Sequence, residues 1–139
     1  MLKSAVMTLG NSLYKQGMDR SQALKNAWRM VKQGHFYTKI AGVTYGTRQV
    51  ALGRLKRYNL EEVKAYLVRE PNWVDSNAVA VMISVNGSRQ YKLGYLSKET
   101  AAVWYRLVER NCLDATMVKV TGGTDKKKYG ANLALCLVA

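Results

Sequence analysis

The chain has 139 residues and is 48% hydrophobic, which suits one domain with a buried core and an appendage. It carries 22 Lys and Arg against 9 Asp and Glu, a net charge of +13, and that balance favours a polyanionic partner held by phosphate neutralisation and counterion release. No apolar run reaches roughly 18 residues and no charged-then-apolar leader with a small-residue cleavage site opens the chain, so the expectation is no spanning helix, no signal peptide, no membrane partner and a cytoplasmic protein.

Residues 1–36 are predicted as a separate helical segment and 37–139 as a β-rich domain. In the first segment Leu2, Ala5, Val6, Leu9 and Leu13 recur at helical spacing, and Gly17 is a stop. Asp19 opens a second helix with Gln22 in capping-box position; Ala23, Leu24, Ala27, Trp28 and Val31 form its apolar stripe, and Gly34 ends it. Arg20, Lys25, Arg29 and Lys32 lie off that stripe, as on a helix touching phosphates or on one that is merely solvated. Packing of this hairpin on the following domain, or docking of a partner through Trp28, are both open; Trp28, Trp104 and Tyr105 otherwise read as core residues.

From Phe36 the pattern shifts to period two. Strands are expected near 38–45, 60–69, 77–85, 90–96, 115–122 and 130–138, with short helices near 47–55 and 97–111. Ser97 caps the second of these helices, and Asn86-Gly87 is a hairpin turn. Short strands at this spacing imply a mainly β, α+β fold: a small closed six-stranded barrel with two short helices, preceded by the helical hairpin.

The stretch from Arg69 to Val81 concentrates the polar and aromatic signal. Pro71 fixes φ, and Asn72, Asp75 and Asn77 can bond their own backbone, so a rigid turn precedes the strand that starts near Ala78. Trp73 has no evident core position and Asp75 no evident ion-pair partner. On a chain this basic they become candidates for reading a ligand, with Trp73 packing under its own loop as the structural alternative.

No catalytic constellation is present. His35 is the sole histidine, the acids are few and scattered, and no phosphate-binding glycine loop occurs, so a non-enzymatic protein without cofactor or metal is expected. Only Asp75 with a second acid such as Glu70 could hold a metal. Cys112 and Cys136 lack metal-ligand spacing and read as buried free thiols. What remains is a binding module. Single strands are held by aromatic faces for bases and cations along the backbone. Tyr45, Trp73, Tyr95 and Tyr129 supply faces near glycine-bearing turns; Arg48, Arg54, Arg69, Lys98, Lys126, Lys127 and Lys128 supply cations. Each has an alternative: Tyr45 alternates with Val43, Tyr95 and Tyr129 could face the core, and the lysine run could be a solvated hairpin tip. A protein-interaction adaptor that uses the helical hairpin is the second reading. Salt separates the two, because only phosphate binding weakens steeply with it.

Three segments in order carry a further signal: Lys39-Ile40-Ala41-Gly42-Val43-Thr44-Tyr45, then Arg69-Glu70-Pro71-Asn72 with Asp75-Ser76-Asn77-Ala78, then Gly94-Tyr95-Leu96-Ser97-Lys98-Glu99. Together they resemble the HIRAN domain family, a small β-barrel module fused to Snf2-type DNA translocases and also found free-standing; a free-standing copy suits a bacterium or its phage. The resemblance covers about Thr38 to the C-terminus. It implies an OB/SH3-like barrel that captures the 3′ end of single-stranded DNA in repair or replication. By position, Tyr45 would be the stacking tyrosine of the first strand and Asp75 the acceptor for the terminal 3′-hydroxyl. Asn77 would hold the turn, Tyr95 stand where the family has His or Tyr, Lys98 lie near the terminal phosphate, and Tyr129, before Gly130-Ala131-Asn132, stack on a base. Val74 stands where the family has Tyr, a second Pro is missing from the turn, and Thr44 replaces an Arg; these departures bear on the end pocket more than on the fold. The chain carries no motor, so it would act alone or recruit a helicase or another repair or replication protein.

Overall fold

A computed structural model describes residues 2–138; the side chain of Leu2, expected on the first apolar stripe, lies outside the described set. Helices α1 (Leu2–Lys15) and α2 (Arg20–Gln33) form the hairpin, joined through Gly17 at φ 97°. Ala5, Val6, Leu9 and Leu13 bury one face of α1, and Ala23, Ala27 and Val31 bury one line of α2. Trp28 sits one residue from Ala27, a turn of about 100° on the helix. It is therefore rotated out of the seam and is exposed rather than core. Asp19 precedes α2, but its side chain makes no capping bond, so the expected capping box does not form. Gly34 ends α2 as expected, in the left-handed region at φ 78°.

Six strands close a barrel in the order β1-β4-β3-β2-β5-β6, every neighbouring pair antiparallel. They are β1 (His35–Ala41), β2 (Val63–Arg69), β3 (Val79–Val85), β4 (Tyr91–Leu96), β5 (Leu113–Thr121) and β6 (Gly130–Leu137). Helix α3 (Arg48–Leu55) follows β1 and α4 (Lys98–Glu109) follows β4. The first strand ends at Ala41 instead of continuing to residue 45, because Gly42 takes φ 70° and breaks the extended backbone. Residues 60–62 form a single 3-10 turn before β2, capped by Asn59 Oδ1, which accepts from Glu61 N. The Asn86-Gly87 turn has positive φ at both residues and joins β3 to β4. Ser97 Oγ accepts from Thr100 N and caps α4.

The barrel core and the hairpin form one apolar cluster. Helix α4 packs on β2, β3 and β5, and β3 is buried along most of its length. Trp104 of α4 is buried beside Phe36, ring centroids 5.4 Å apart, while Tyr105 is only half-buried. Helix α1 packs on α4, and Arg110 Nη1 donates to Thr8 Oγ1 at 2.8 Å. Cys112 and Cys136 are free and half-buried rather than fully buried. No described helix is long and apolar enough to cross a membrane.

Candidate nucleic-acid interface

The loop from Gly42 to Thr47 leaves β1 with two left-handed glycines, Gly42 (φ 70°) and Gly46 (φ 55°). A residue with a Cβ is disfavoured at such φ, so these positions select glycine. Between them Tyr45 is lifted away from the barrel and is 69% exposed. It therefore belongs to this loop and not to the first strand.

Arg48, the first residue of α3, folds back over the loop. Its Nη1 donates to the Gly42 carbonyl at 2.7 Å. Its guanidinium carbon lies 5.8 Å from the centroid of the Tyr45 ring and 5.6 Å from that of Tyr95. A cation within about 6 Å of a ring is attracted by the ring quadrupole. One arginine thus stands beside two aromatic rings, one of them open to solvent. Tyr95 reaches this position because Gly94 lets β4 press against β1: a Cβ there would overlap the Ala41 carbonyl and come within 2.6 Å of Ile40 Cγ2. Ala41 pairs with Tyr95 in register.

Two further residues complete the cluster: Lys92, which the sequence did not single out, and Glu70, which it offered only as a possible metal ligand. Lys92 Nζ donates to Glu70 Oε1 at 2.6 Å and to the Tyr95 hydroxyl at 3.0 Å; that hydroxyl donates to Glu70 Oε1 at 3.1 Å. The bond from Lys92 holds the Glu70 carboxyl below its usual range. The Tyr95 hydroxyl and the charges of Lys92 and Arg48 add to this, and partial desolvation opposes it. Lys92 is pushed up, chiefly by the same bond to Glu70. Glu70 so neutralises Lys92 and fixes Tyr95, leaving Arg48 as the cation between the rings. The alternation of β4 would have put Lys92 on a surface; only the fold shows that it meets Glu70. Beside this cluster a cavity of about 470 Å³ lies between α3 and the β3–β4 pair, bordered by Arg48, Arg54, Tyr58, Tyr91 and Lys92. Burial raises the Tyr91 hydroxyl, partly offset by Arg54.

From Glu70 the chain enters the turn of Trp73 and Asp75. Asn72 Oδ1 accepts from Val74 N (3.0 Å) and Asp75 N (2.9 Å), and Asp75 Oδ1 accepts from Asn77 N at 2.9 Å. Asn77 thus takes part through its backbone; the side chains that hold the turn are Asn72 and Asp75. Arg69 closes it, donating to the carbonyls of Ala78 and Ser76, each at 3.2 Å, while its Nε pairs with Glu109 at 2.9 Å and its guanidinium lies over Tyr105. Arg69 is therefore engaged in the fold and is not a free cation. Asp75 makes no ion pair among the described residues, and of its two carboxylate oxygens only Oδ1 is used by the turn. Trp73 does not pack under the loop: it is fully exposed, and Val74 beside it is 84% exposed.

Tyr129 lies on the other flank of α3. Gln49 Oε1 accepts from Tyr129 N at 2.8 Å, and Gln49 Nε2 donates to the carbonyls of Tyr129 (2.8 Å) and Val43 (3.0 Å). The amide ties the start of β6 to the Tyr45 loop. The Tyr129 ring packs on Gly53 and Gly123, where a Cβ would touch it, with Lys56 Nζ 5.8 Å from its centroid. The residue is half-buried and lines a depression shared with Arg54, Lys56 and Arg57. Lys126, Lys127 and Lys128 are exposed in the β5–β6 loop, and Lys98 is exposed at the start of α4. The structure brings Tyr45, Arg48 and Tyr95 into one cluster, with the Asp75 turn joined to it through Glu70 and Tyr129 tied to the Tyr45 loop through Gln49; Lys98 and the lysine run lie on other elements. Among the described residues no group of three His, Cys, Asp or Glu could hold a metal ion.

Compared with models of protein families, the chain matches the one described as HIRAN domain over residues 33–135, a span that begins just before β1 and ends within β6. No curated protein and no solved structure matches it.

Proposed function

The chain belongs to the HIRAN domain family, a family of nucleic-acid-binding modules, and from that premise we propose that it binds single-stranded DNA, at the 3′-hydroxyl end, as a non-enzymatic module in repair or replication. The observation that carries this reading is the Arg48 guanidinium set beside the exposed Tyr45 ring and the fixed Tyr95 ring. Stacking faces plus a cation are what a single strand requires. The exposed Trp73 offers a further face beside the position where the family's tyrosine has become Val74, on a turn held by the side chains of Asn72 and Asp75, with Asn77 contributing its backbone N–H. Lys98 and the run Lys126, Lys127 and Lys128 are the cations that would follow the backbone, with Tyr129 beside the Tyr45 loop. Asp75 would accept a hydrogen bond from a terminal hydroxyl and repel a terminal phosphate, since an ionised carboxylate only accepts. A helicase or another repair or replication protein is the partner that would use such an end.

The test compares labelled strands ending in a 3′-hydroxyl, a 3′-phosphate and a matched duplex, by fluorescence anisotropy at near-physiological salt. The 3′-hydroxyl strand should bind best. Asp75→Asn is the informative variant, because the amide oxygen can still accept from Asn77 N while the charge is gone. It should raise affinity for the 3′-phosphate strand towards that of the hydroxyl. Equal binding of all three ligands by the unmodified protein would reduce the reading to a basic surface.

The exposed Trp28 on α2 favours a second reading, docking of a protein partner through the hairpin. Such binding would persist at high salt, where phosphate binding fades.

A further inference from the structure

We infer that the outer face of β5, β6 and β1 is a second single-strand surface, continuous with the Tyr45–Arg48–Tyr95 cluster, on which Tyr37 stacks a base and Lys39 and Lys119 hold phosphates. This rests on the reading of the protein as a single-strand binder and extends it from an end pocket to a track.

The strand pattern defines the face. Ile40 is buried inside the barrel, so His35, Tyr37, Lys39 and Ala41 alternate outward on β1. Register then builds rows across the sheet. Lys39 pairs with Asn132 of β6, and Asn132 pairs with Lys119 of β5, so one row reads lysine, asparagine, lysine. The adjacent row holds Tyr37 opposite Ala134, a small residue that leaves the ring free; Tyr37 is 65% exposed. In the other direction, two residues or roughly 7 Å along β1, Ala41 pairs with Tyr95 of the cluster. The register of β5 against β6 shifts between Met117 and Lys119, and this bulge turns both Val118 and Lys119 out to solvent.

The face is concave and chemically mixed. A depression of about 400 Å³ is lined by Tyr37, Thr38, Lys39, Val118 and Asn132. Sharing Lys39 and Asn132 with it, a second depression of about 420 Å³ is bordered by Lys119, Lys127 and Lys128. Asn132 Oδ1 is buried there without a hydrogen-bond partner. The four lysines form no ion pair among the described residues, and the nearest acids in sequence are Asp125 in the loop and Asp114 at the far end of β5. A polyanion with planar faces, namely a single DNA strand, is complementary to an exposed ring, an apolar Val118 and four cations.

The experiment measures affinity against strand length. Strands of about four and about twelve nucleotides, both with free 3′-hydroxyls, are titrated against the full chain and against Tyr37→Ala and Lys119→Gln. Neither variant alters a residue of the Tyr45 cluster, and both side chains are exposed, so folding is checked by thermal unfolding and should be retained. The longer strand should bind at least about ten-fold more tightly than the shorter to the unmodified protein. Each variant should lower affinity for the longer strand several-fold and leave the shorter unchanged. Equal affinity for the two lengths, or variants that affect neither strand or both alike, would overturn the track while the end pocket stands. If the short strand does not bind but the long one does and needs Tyr37, the end reading fails and the track survives. Binding of neither length rejects both.

Discussion

Replacing Tyr45 by alanine separates folding from binding better than any other change at the cluster. The ring is 69% exposed, and its nearest charged partner is the Arg48 guanidinium at 5.8 Å. An exposed cation–π contact contributes about 0.5–1 kcal/mol, and surface substitutions otherwise stay within about 0.5 kcal/mol. The melting temperature should therefore fall by no more than about five degrees. Stacking of one base is a larger effect, about 1–3 kcal/mol, or roughly 5- to 150-fold in affinity. The assay is anisotropy of a labelled strand of about ten nucleotides, repeated over a series of salt concentrations. Because Tyr45 carries no charge, the slope of log affinity against log salt should not change. Arg48→Gln should instead reduce that slope by about 0.7, the value for one phosphate contact on a single strand. A folded Tyr45→Ala protein that binds like the parent refutes stacking at this loop. A Tyr45→Ala protein that loses affinity and slope together shows that the loop, through its Arg48–Gly42 bond, had been positioning phosphate contacts instead.

Further outcomes follow from other contacts. Gly94→Ala forces a Cβ into the Ala41 carbonyl and Ile40, where β1 and β4 approach most closely; a loss of about 1–3 kcal/mol in denaturant unfolding is expected, and unchanged stability would contradict the packing. Gln49→Ala removes three hydrogen bonds between α3, the Tyr45 loop and Tyr129, and should cost about 1–3 kcal/mol, read as a lower melting temperature. Glu70, held below its ordinary 4.5, binds a proton less readily folded than unfolded, so its contribution is complete above 4.5 and is lost as pH falls through the lowered folded value. Lys92, held above its ordinary 10.5, contributes fully below 10.5 and loses that contribution as pH rises through the raised value. The stability difference between the parent and Glu70→Gln should thus be flat from about pH 5 to 10, no larger than about 1 kcal/mol for so exposed a pair, and shrink in acid; a difference that grows in acid would reverse the assignment. Trp73, being fully exposed, should emit like free tryptophan, and strand addition should quench it in the parent but not in Trp73→Phe; an identical response of the two proteins would remove Trp73 from the interface.

Much of the architecture was legible because local rules act within a few residues. Alternation marked all six strands, Asn86-Gly87 marked its hairpin and Ser97 its helix start, since backbone φ and side-chain caps are decided by near neighbours. The basic charge and the three ordered motifs pointed to the family for the same reason: both are read along the chain. Two local expectations failed where glycine or helix geometry intervened. Gly42 ended β1 early and moved Tyr45 into a loop, and a rotation of one residue on α2 turned Trp28 outward.

What each charged and aromatic side chain is free to do was settled only by tertiary structure. Arg69 and Arg48 look alike in sequence, yet Arg69 is spent on Glu109, Tyr105 and two carbonyls, while Arg48 stands beside two rings. Gln49 and Tyr129 are 80 residues apart and share two hydrogen bonds between amide and backbone. Lys39, Asn132 and Lys119 share a row because β1, β6 and β5 meet in one register with one bulge. Sequence alone determined the elements, their order and the sign of the partner's charge, because these depend on local backbone preference and on composition. Barrel closure decided which cations face solvent beside an aromatic ring, because that depends on strand register and on partners far apart in the chain.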